Sequence, residues 1–181
     1  GAGAHFCVGG NHHSQESAAT RPALTESVRL LHTSMRGLTT LGRVQVPVLC
    51  AAHGAVQGGG ISTCFNCDYR LADADSSFQH GNLPRGVCPV GGFSTTPEGL
   101  IGMVSAQAVY LCNEIIDAAG ALACGIVDEV QRGVEIINSL NSRINKIKNV
   151  LRDGLNKNKF VPIVECRIIN FMLRDKYFSP I

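Results

Sequence analysis

Three consecutive glycines, Gly58-Gly59-Gly60, constrain this 181-residue chain more than any other feature. An apolar run of strand length, Val46-Pro-Val-Leu-Cys-Ala-Ala-His53-Gly54, leads to Ala-Val-Gln57 and then to the glycines. Ile61-Ser62-Thr-Cys-Phe-Asn-Cys67-Asp68 follows, an apolar segment too long to be a turn. The pattern predicts a strand, a glycine turn and a helix over about Gly59 to Asn66. Without Cβ atoms the turn reaches conformations and approaches closed to other residues, so a backbone N–H at the helix start can face a ligand. The ligand group suited to that point is an anion, or an oxygen becoming one.

The remaining segments supply what surrounds such a turn. Leu24, Val28, Leu31, Met35 and Leu38 recur at steps of four and three, predicting a helix that packs across a sheet, with Thr20 before Pro22 as its start. Cys67 to Ala72 and Ser77 to His80 read as strands, and helices are expected over about Ser105 to Cys112 and Asp117 to Cys124, ended by Gly125. Residues 81–97, rich in glycine and proline, read as one loop of active-site size. Ile137, Leu140, Ile144, Ile147 and Leu151 mark an amphipathic helix too short in its repeat for a coiled coil.

The eight cysteines lie mostly inside apolar runs and read as reduced core residues. Cys64 and Cys67 form a CxxC pair, but no second pair at zinc-ribbon spacing accompanies them, so no metal site is expected. The net charge of +2 is uneven: residues 131–181 carry ten Lys/Arg against four Asp/Glu, leaving residues 1–130 net acidic. Charges scattered among apolar residues read as a solvated helix face rather than a nucleic-acid surface. No stretch has the length of a membrane span, and no signal segment is recognisable, so a cytoplasmic protein is expected.

Five ordered segments resemble the crotonase (enoyl-CoA hydratase/isomerase) superfamily. Gly1-Ala-Gly-Ala-His-Phe6-Cys-Val8-Gly9-Gly10-Asn11 is similar to that family's first oxyanion-hole loop, and the run into Gly58 is similar to its second. Cys67-Asp68-Tyr-Arg-Leu-Ala-Asp73 with Ser77-Phe78 resembles its strand pair, and Gly86-Val-Cys-Pro89-Val90-Gly91-Gly92 its glycine-proline loop. Ile116-Asp117-Ala118-Ala119, with Gly125-Ile-Val-Asp-Glu-Val130, resembles the segment that closes its core. The resemblance implies an α/β fold, a ClpP/crotonase-like spiral of ββα units with C-terminal helices, its strand-rich front part missing. It divides the chain into a core over residues 1–130 and a helical, basic segment over residues 131–181.

The same resemblance implies an acyl-CoA or acyl-carrier-protein thioester as substrate, with CoA or phosphopantetheine entering as part of it and no other cofactor. It implies a homotrimer or hexamer. The N–H groups of Gly10 and Gly59 would hold the thioester oxygen, with Val8, Gly58, Val90 and Gly91 lining the substrate. The family's two hydratase glutamates fall on Ser62 and Asn82, neither of which can activate water as a base. That departure points to decarboxylation or isomerisation rather than hydration, with His80 expected to return a proton near neutral pH, and the glycine-proline loop resembles that of polyketide β-branching decarboxylases. Asn82 and Ser62 are then positioning groups, Ser62 with a second reading as a helix cap. His53 reads as a core histidine, and His12 and His13 as loop residues. Two rivals remain open: a catalytically inactive thioester-binding scaffold, and a ClpP-like peptidase with Ser62 as its nucleophile.

Overall fold

In a computed structural model, the structure describes residues 3–9, 47–86, 89 and 92–156, together with residues 25, 26, 28–30, 32–34 and 37. Side chains in the last helix are described as far as residue 149. The elements run β1 (Leu49–Ala52), β2 (Ala55–Gln57), α1 (Gly59–Phe65), β3 (Tyr69–Asp73) and β4 (Ser77–Gln79). A 3-10 turn (Leu83–Arg85), α2 (Thr96–Ile101), α3 (Met103–Cys112), β5 (Ile116–Asp117), α4 (Ala118–Ala123), β6 (Glu129–Gln131) and α5 (Val134–Asn156) follow. The described residues among 25–37 are helical, with Val28 and Leu30 exposed; the rest of the apolar stripe expected there lies outside the described residues.

Two three-stranded sheets share these strands. One is the parallel set β1-β3-β6, and the other is β2-β4-β5, with β2 parallel and β5 antiparallel to β4. From β1 to β4 the chain deals successive strands alternately to the two sheets, with α1 between β2 and β3, which is the ββα spiral the resemblance implies. The apolar run before the glycines is therefore two strands rather than the one expected. Gly54, at φ 57°, turns the chain from the first sheet into the second, and Phe6 and Cys7 hold the new direction by bonding His53 O, Ala55 O and Gln57 N.

Packing follows the strand period of two. Val48, Cys50 and Ala52 face the main core with Val56, Ile61, Phe65, Phe78 and Ile126. Leu49 and Leu71 face the opposite way, against Ile136, Leu140 and Ile144 of α5. The sheet β1-β3-β6 is thus covered on both faces, as parallel sheets are. The stripe on α5 is the amphipathic face read from the sequence, centred one residue earlier, with Ile137 and Ile147 at its margin. Burying a side chain such as Leu140 contributes roughly 1.5–3 kcal/mol.

Residues 81–97 are less uniform than a loop. Leu83–Arg85 forms a 3-10 turn, and α2 begins at Thr96 with Pro97 in its first turn, where the missing N–H costs nothing. Cys50 Sγ lies 3.5 Å from Cys64 Sγ, and both are buried and free, as is Cys67, whose thiol donates to Thr63 O. Among the described residues no helix is long and apolar enough to cross a membrane, and no group of three or more His, Cys, Asp or Glu is placed to hold a metal.

Candidate active site

The three glycines differ in what surrounds them. A Cβ on Gly60 would come within 2.7 Å of Cys7 O and 2.8 Å of Cys7 Cβ, so the strand-like residues 6–7 press directly on the turn. Gly58 takes φ 51° and ψ −113°, with its N–H donating to Gln79 O at 3.3 Å and its carbonyl accepting from Ser62 N at 3.1 Å. A Cβ on Gly59 would meet nothing within 4 Å. The turn is pinned on both sides and opens at its middle residue. As the first residue of α1, Gly59 has an N–H with no acceptor inside the helix, and none is supplied by the backbone of the described residues.

Several segments converge on Gly58. The point where its Cβ would sit is 3.7 Å from Asn82 Oδ1, 3.7 Å from Gly9 Cα and 3.9 Å from His80 O. The first loop, the glycine turn and the end of β4 thus meet at one place. Asn113, in the left-handed region at φ 52°, fixes that end by accepting from Gly81 N at 2.7 Å and from Gln79 Nε2 at 3.0 Å. Arg85 Nη1 lies 3.5 Å and 3.6 Å from the Cβ positions of Gly9 and Gly81. The sequence reading named neither Asn113 nor Arg85. A signal for Arg85 was present, because three residues separate it from Asn82, the spacing that aligns side chains in a 3-10 turn.

The other expected residues are placed as follows. Ser62 is 3% exposed in the interior of α1, where Gly58 is the N-cap, so it does not cap the helix. Its Oγ has no hydrogen-bond partner among the described residues. Val8 is more than half exposed. Gly10, Val90 and Gly91, with His12 and His13, lie outside the described residues. His53 is fully buried, with Nε2 2.9 Å from Gly3 O and its ring edge-on to Phe6, in agreement with a core histidine.

His80 leaves the meeting point sideways. Its backbone touches Gly58, while its ring stacks face to face on Phe93, 4.0 Å between centroids at 3°, and meets Tyr110 edge-on at 4.8 Å. Burial lowers its pKa to about 4, so the ring is neutral at pH 7. The expected role of proton donor near neutral pH does not fit, since that role needs an imidazolium close to half populated. The ring lines a cavity of about 330 Å³ shared with Phe65, Met103, Val109 and Tyr110, and with Glu98 among its polar walls.

The two interleaved sheets and the glycine turn at the head of α1 define a crotonase-type α/β chain. Residues 1–159 match the family Enoyl-CoA hydratase/isomerase, and the chain belongs to it. It is 30% identical over 104 residues to a short-chain-enoyl-CoA hydratase of Clostridium acetobutylicum, covering 58% of this chain and 40% of that protein. It is 28% identical to a peroxisomal Δ(3,5)-Δ(2,4)-dienoyl-CoA isomerase of Arabidopsis thaliana, covering 72% and 50%. The crystal structure of an enoyl-CoA hydratase from Bacillus anthracis superposes with a TM-score of 0.74 at 25% identity, over 82% of this chain and 56% of that one. The chain thus spans about half the length of these relatives or less.

Proposed function

We propose that the protein acts on an acyl thioester, presented by CoA or by a carrier protein, and stabilises the enolate formed at its α-carbon. The observation that supports this is the opening of the turn at Gly59, where a Cβ would meet nothing within 4 Å and whose N–H has no backbone acceptor among the described residues. Gly10 enters as the second donor on the sequence pattern alone. Each such donor is worth roughly 3–4 kcal/mol to a transition state in which the oxygen gains charge. The relatives named above are a hydratase and an isomerase of CoA thioesters, which supports the same class of substrate.

Within this class, Ser62 and Asn82 favour a reaction that needs no carboxylate base at those positions: a double-bond shift, or loss of CO2 from a carboxyl-bearing thioester. In the second, the C–C bond electrons pass to the thioester enolate and a proton from water replaces the lost group, because His80 is neutral. The nearness of Arg85 Nη1 to Gly9 and Gly81 supports this reading, since it offers a cation to such a carboxylate. A part in polyketide β-branching or fatty-acid metabolism, a trimeric or hexameric assembly and a cytoplasmic location belong to the same proposal. The absence of bases at Ser62 and Asn82 also supports the alternative of an inactive thioester-binding scaffold.

Turnover of two thioesters, one a crotonyl type and the other a 3-methylglutaconyl type, tests the reading when followed by mass spectrometry after chromatography that separates double-bond isomers of equal mass. Isomerisation, or loss of CO2 from the second without hydration of the first, is expected, and both abolished in Gly59→Val. Hydration of the first would place a base that Ser62 and Asn82 do not supply. Silence on both from folded protein would favour the scaffold.

A further inference from the structure

Arg85 is a cation held beside the glycine turn without a counter-charge. Its side chain is exposed, and among the described residues no carboxylate pairs with it. The backbone holds the residue in place: its N–H donates to Asn82 O at 3.1 Å, Pro84 stiffens the turn before it, and Gly86, at φ 61°, ends the turn after it. The tip of the side chain then lies against glycines of two other segments. Nη1 is 3.5 Å from the Cβ position of Gly9 and 3.6 Å from that of Gly81, and both glycines take positive φ, 102° and 73°, where side-chain-bearing residues are strained.

This spot adjoins the donor turn. The Cβ position of Gly81 is also 3.8 Å from Gly58 N, and Gly59 is next in the chain. Arg85 Nη1 and Gly59 N are therefore at most roughly 11 Å apart. Neither is walled in, since Arg85 is exposed and a Cβ on Gly59 would meet nothing within 4 Å. A five-carbon acyl chain with a hydrogen bond of about 2.9 Å at each end spans roughly 10 Å, so it has the length to join them.

A thioester substrate offers a guanidinium two kinds of anion, a carboxylate on the acyl group and the phosphate of the pantetheine arm. Length decides between them. The phosphate stands on the sulfur side of the carbonyl, beyond two amide units, so a thioester oxygen bonded at Gly59 keeps it much farther off than Arg85. A carboxylate a few carbons along the acyl chain matches the spacing, and the guanidinium can meet it with two parallel N–H bonds.

We propose that Arg85 determines substrate specificity by binding a second carboxylate at the far end of a short acyl group, so that the substrate class is a dicarboxylic acyl thioester of about glutaryl length. The assignment rests on the reading of the protein as an acyl-thioester enzyme and narrows it. It concerns binding, and holds whether the carboxylate is then lost as CO2 or kept.

The test measures, by calorimetry on the intact protein, the binding of non-reactive pantetheine amides bearing pentanoyl, glutaryl or pimeloyl groups, with free glutarate and the pentanoyl amide of phosphopantetheine beside them. The glutaryl amide is expected to bind about tenfold more tightly than the pentanoyl amide, as one charge-assisted hydrogen bond allows, and more tightly than the pimeloyl amide. That advantage should shrink at high salt. Arg85→Gln should erase it and retain pentanoyl binding, while Arg85→Lys, which keeps the charge without the planar fork, should retain part of it. No advantage of glutaryl over pentanoyl, an advantage that survives Arg85→Gln, tighter binding of pimeloyl than of glutaryl, or a larger Arg85-dependent gain from the phosphate than from the glutaryl carboxylate would each overturn the assignment. If turnover of thioesters accompanies any of these, the thioester reading survives without it. If free glutarate binds and Arg85→Gln abolishes that binding while no pantetheine amide binds, the carboxylate subsite stands and the thioester reading fails.

Discussion

The seam between α5 and the sheet and the wall beside the glycine turn are both polar, yet the first is half-exposed and the second buried, and they are built in opposite ways. At the seam, Glu129 accepts from Tyr69 at 2.5 Å, Ser139 at 2.7 Å, Gln131 at 2.9 Å and Arg143 at 3.2 Å, while Arg143 also covers the Tyr69 ring at 4.4 Å. Nearby, Arg70 Nε and Nη2 grip both oxygens of Asp128, whose Oδ2 also takes the Arg70 N–H. Beside the turn, the buried Ser62 Oγ and His80 Nδ1 have no hydrogen-bond partner among the described residues. The polar groups that tie α5 to the sheet are answered within the fold, and these two are not. The division is not absolute, since Arg70 Nη1 is also buried without a partner, but that guanidinium is already held by two bonds.

The largest effect is expected at the seam. Asp128→Ala leaves Arg70, 6% exposed, without its counter-charge, and should cost about 3 kcal/mol or more in urea unfolding. Activity per folded molecule should not change. A loss of activity at full stability would break the comparison from this side. The complementary substitution is Gly59→Val, whose side chain enters open space and should leave the unfolding midpoint almost where it was. Valine keeps the N–H, but its side chain would hold the thioester oxygen away from it, so turnover should fall by about 100- to 1000-fold, as when one oxyanion donor is lost.

How much of this division was legible in the sequence follows from how far each feature depends on distant residues. The glycine turn, α1, β3, β4 and the apolar stripe of α5 are written locally, in a turn signal or a period, and they fall close to where the sequence puts them. The break between β1 and β2 was not, because it depends on residues 6–7 arriving beside β2. Strands β5 and β6 are too short to show a period, and α2 was hidden by Pro97, Gly99 and Gly102, two of which sit at its ends. At the site, the sequence names His80 but not its charge state, which is set by Phe93 and Tyr110 from other elements.

Acid should titrate the two regions in separate windows. His80 has its folded pKa lowered to about 4, so between its unfolded value near 6.5 and 4 the unfolded chain binds the extra proton. Stability from that source is complete above about 6.5 and is lost as pH falls toward 4. For Glu129, burial raises the pKa, but the bonds from Ser139, Tyr69, Gln131 and Arg143 together outweigh it and hold the carboxyl at about 2. Its contribution is present above the unfolded value near 4.5 and is lost as pH falls from there toward 2. Unfolding free energy followed from pH 7 to 3 should therefore fall in two stages, the first missing in His80→Phe and the second weakened in Glu129→Gln. A single stage untouched by either variant would remove the electrostatic distinction between seam and wall.

The smallest effects give the sharpest contrast, because they compare one chemical change in two settings. Ser139→Ala removes a hydroxyl that donates to Glu129 Oε1 at 2.7 Å, and a bond to a charged acceptor of this kind is worth about 1.5 kcal/mol at its lower end. Ser62→Ala removes a hydroxyl that is more deeply buried but bonds nothing among the described residues. Burying an unpaired hydroxyl opposes folding, so its deletion should leave stability unchanged or raise it by up to about 1 kcal/mol. The two serines should thus shift the thermal midpoint in opposite directions, a difference that calorimetry of matched variants can read even where neither shift alone is large. If both variants lose stability equally, Ser62 Oγ has a partner in solution that the fold does not supply. The orphan would then be filled by bound water already in the free protein, and the wall would no longer differ in kind from the seam.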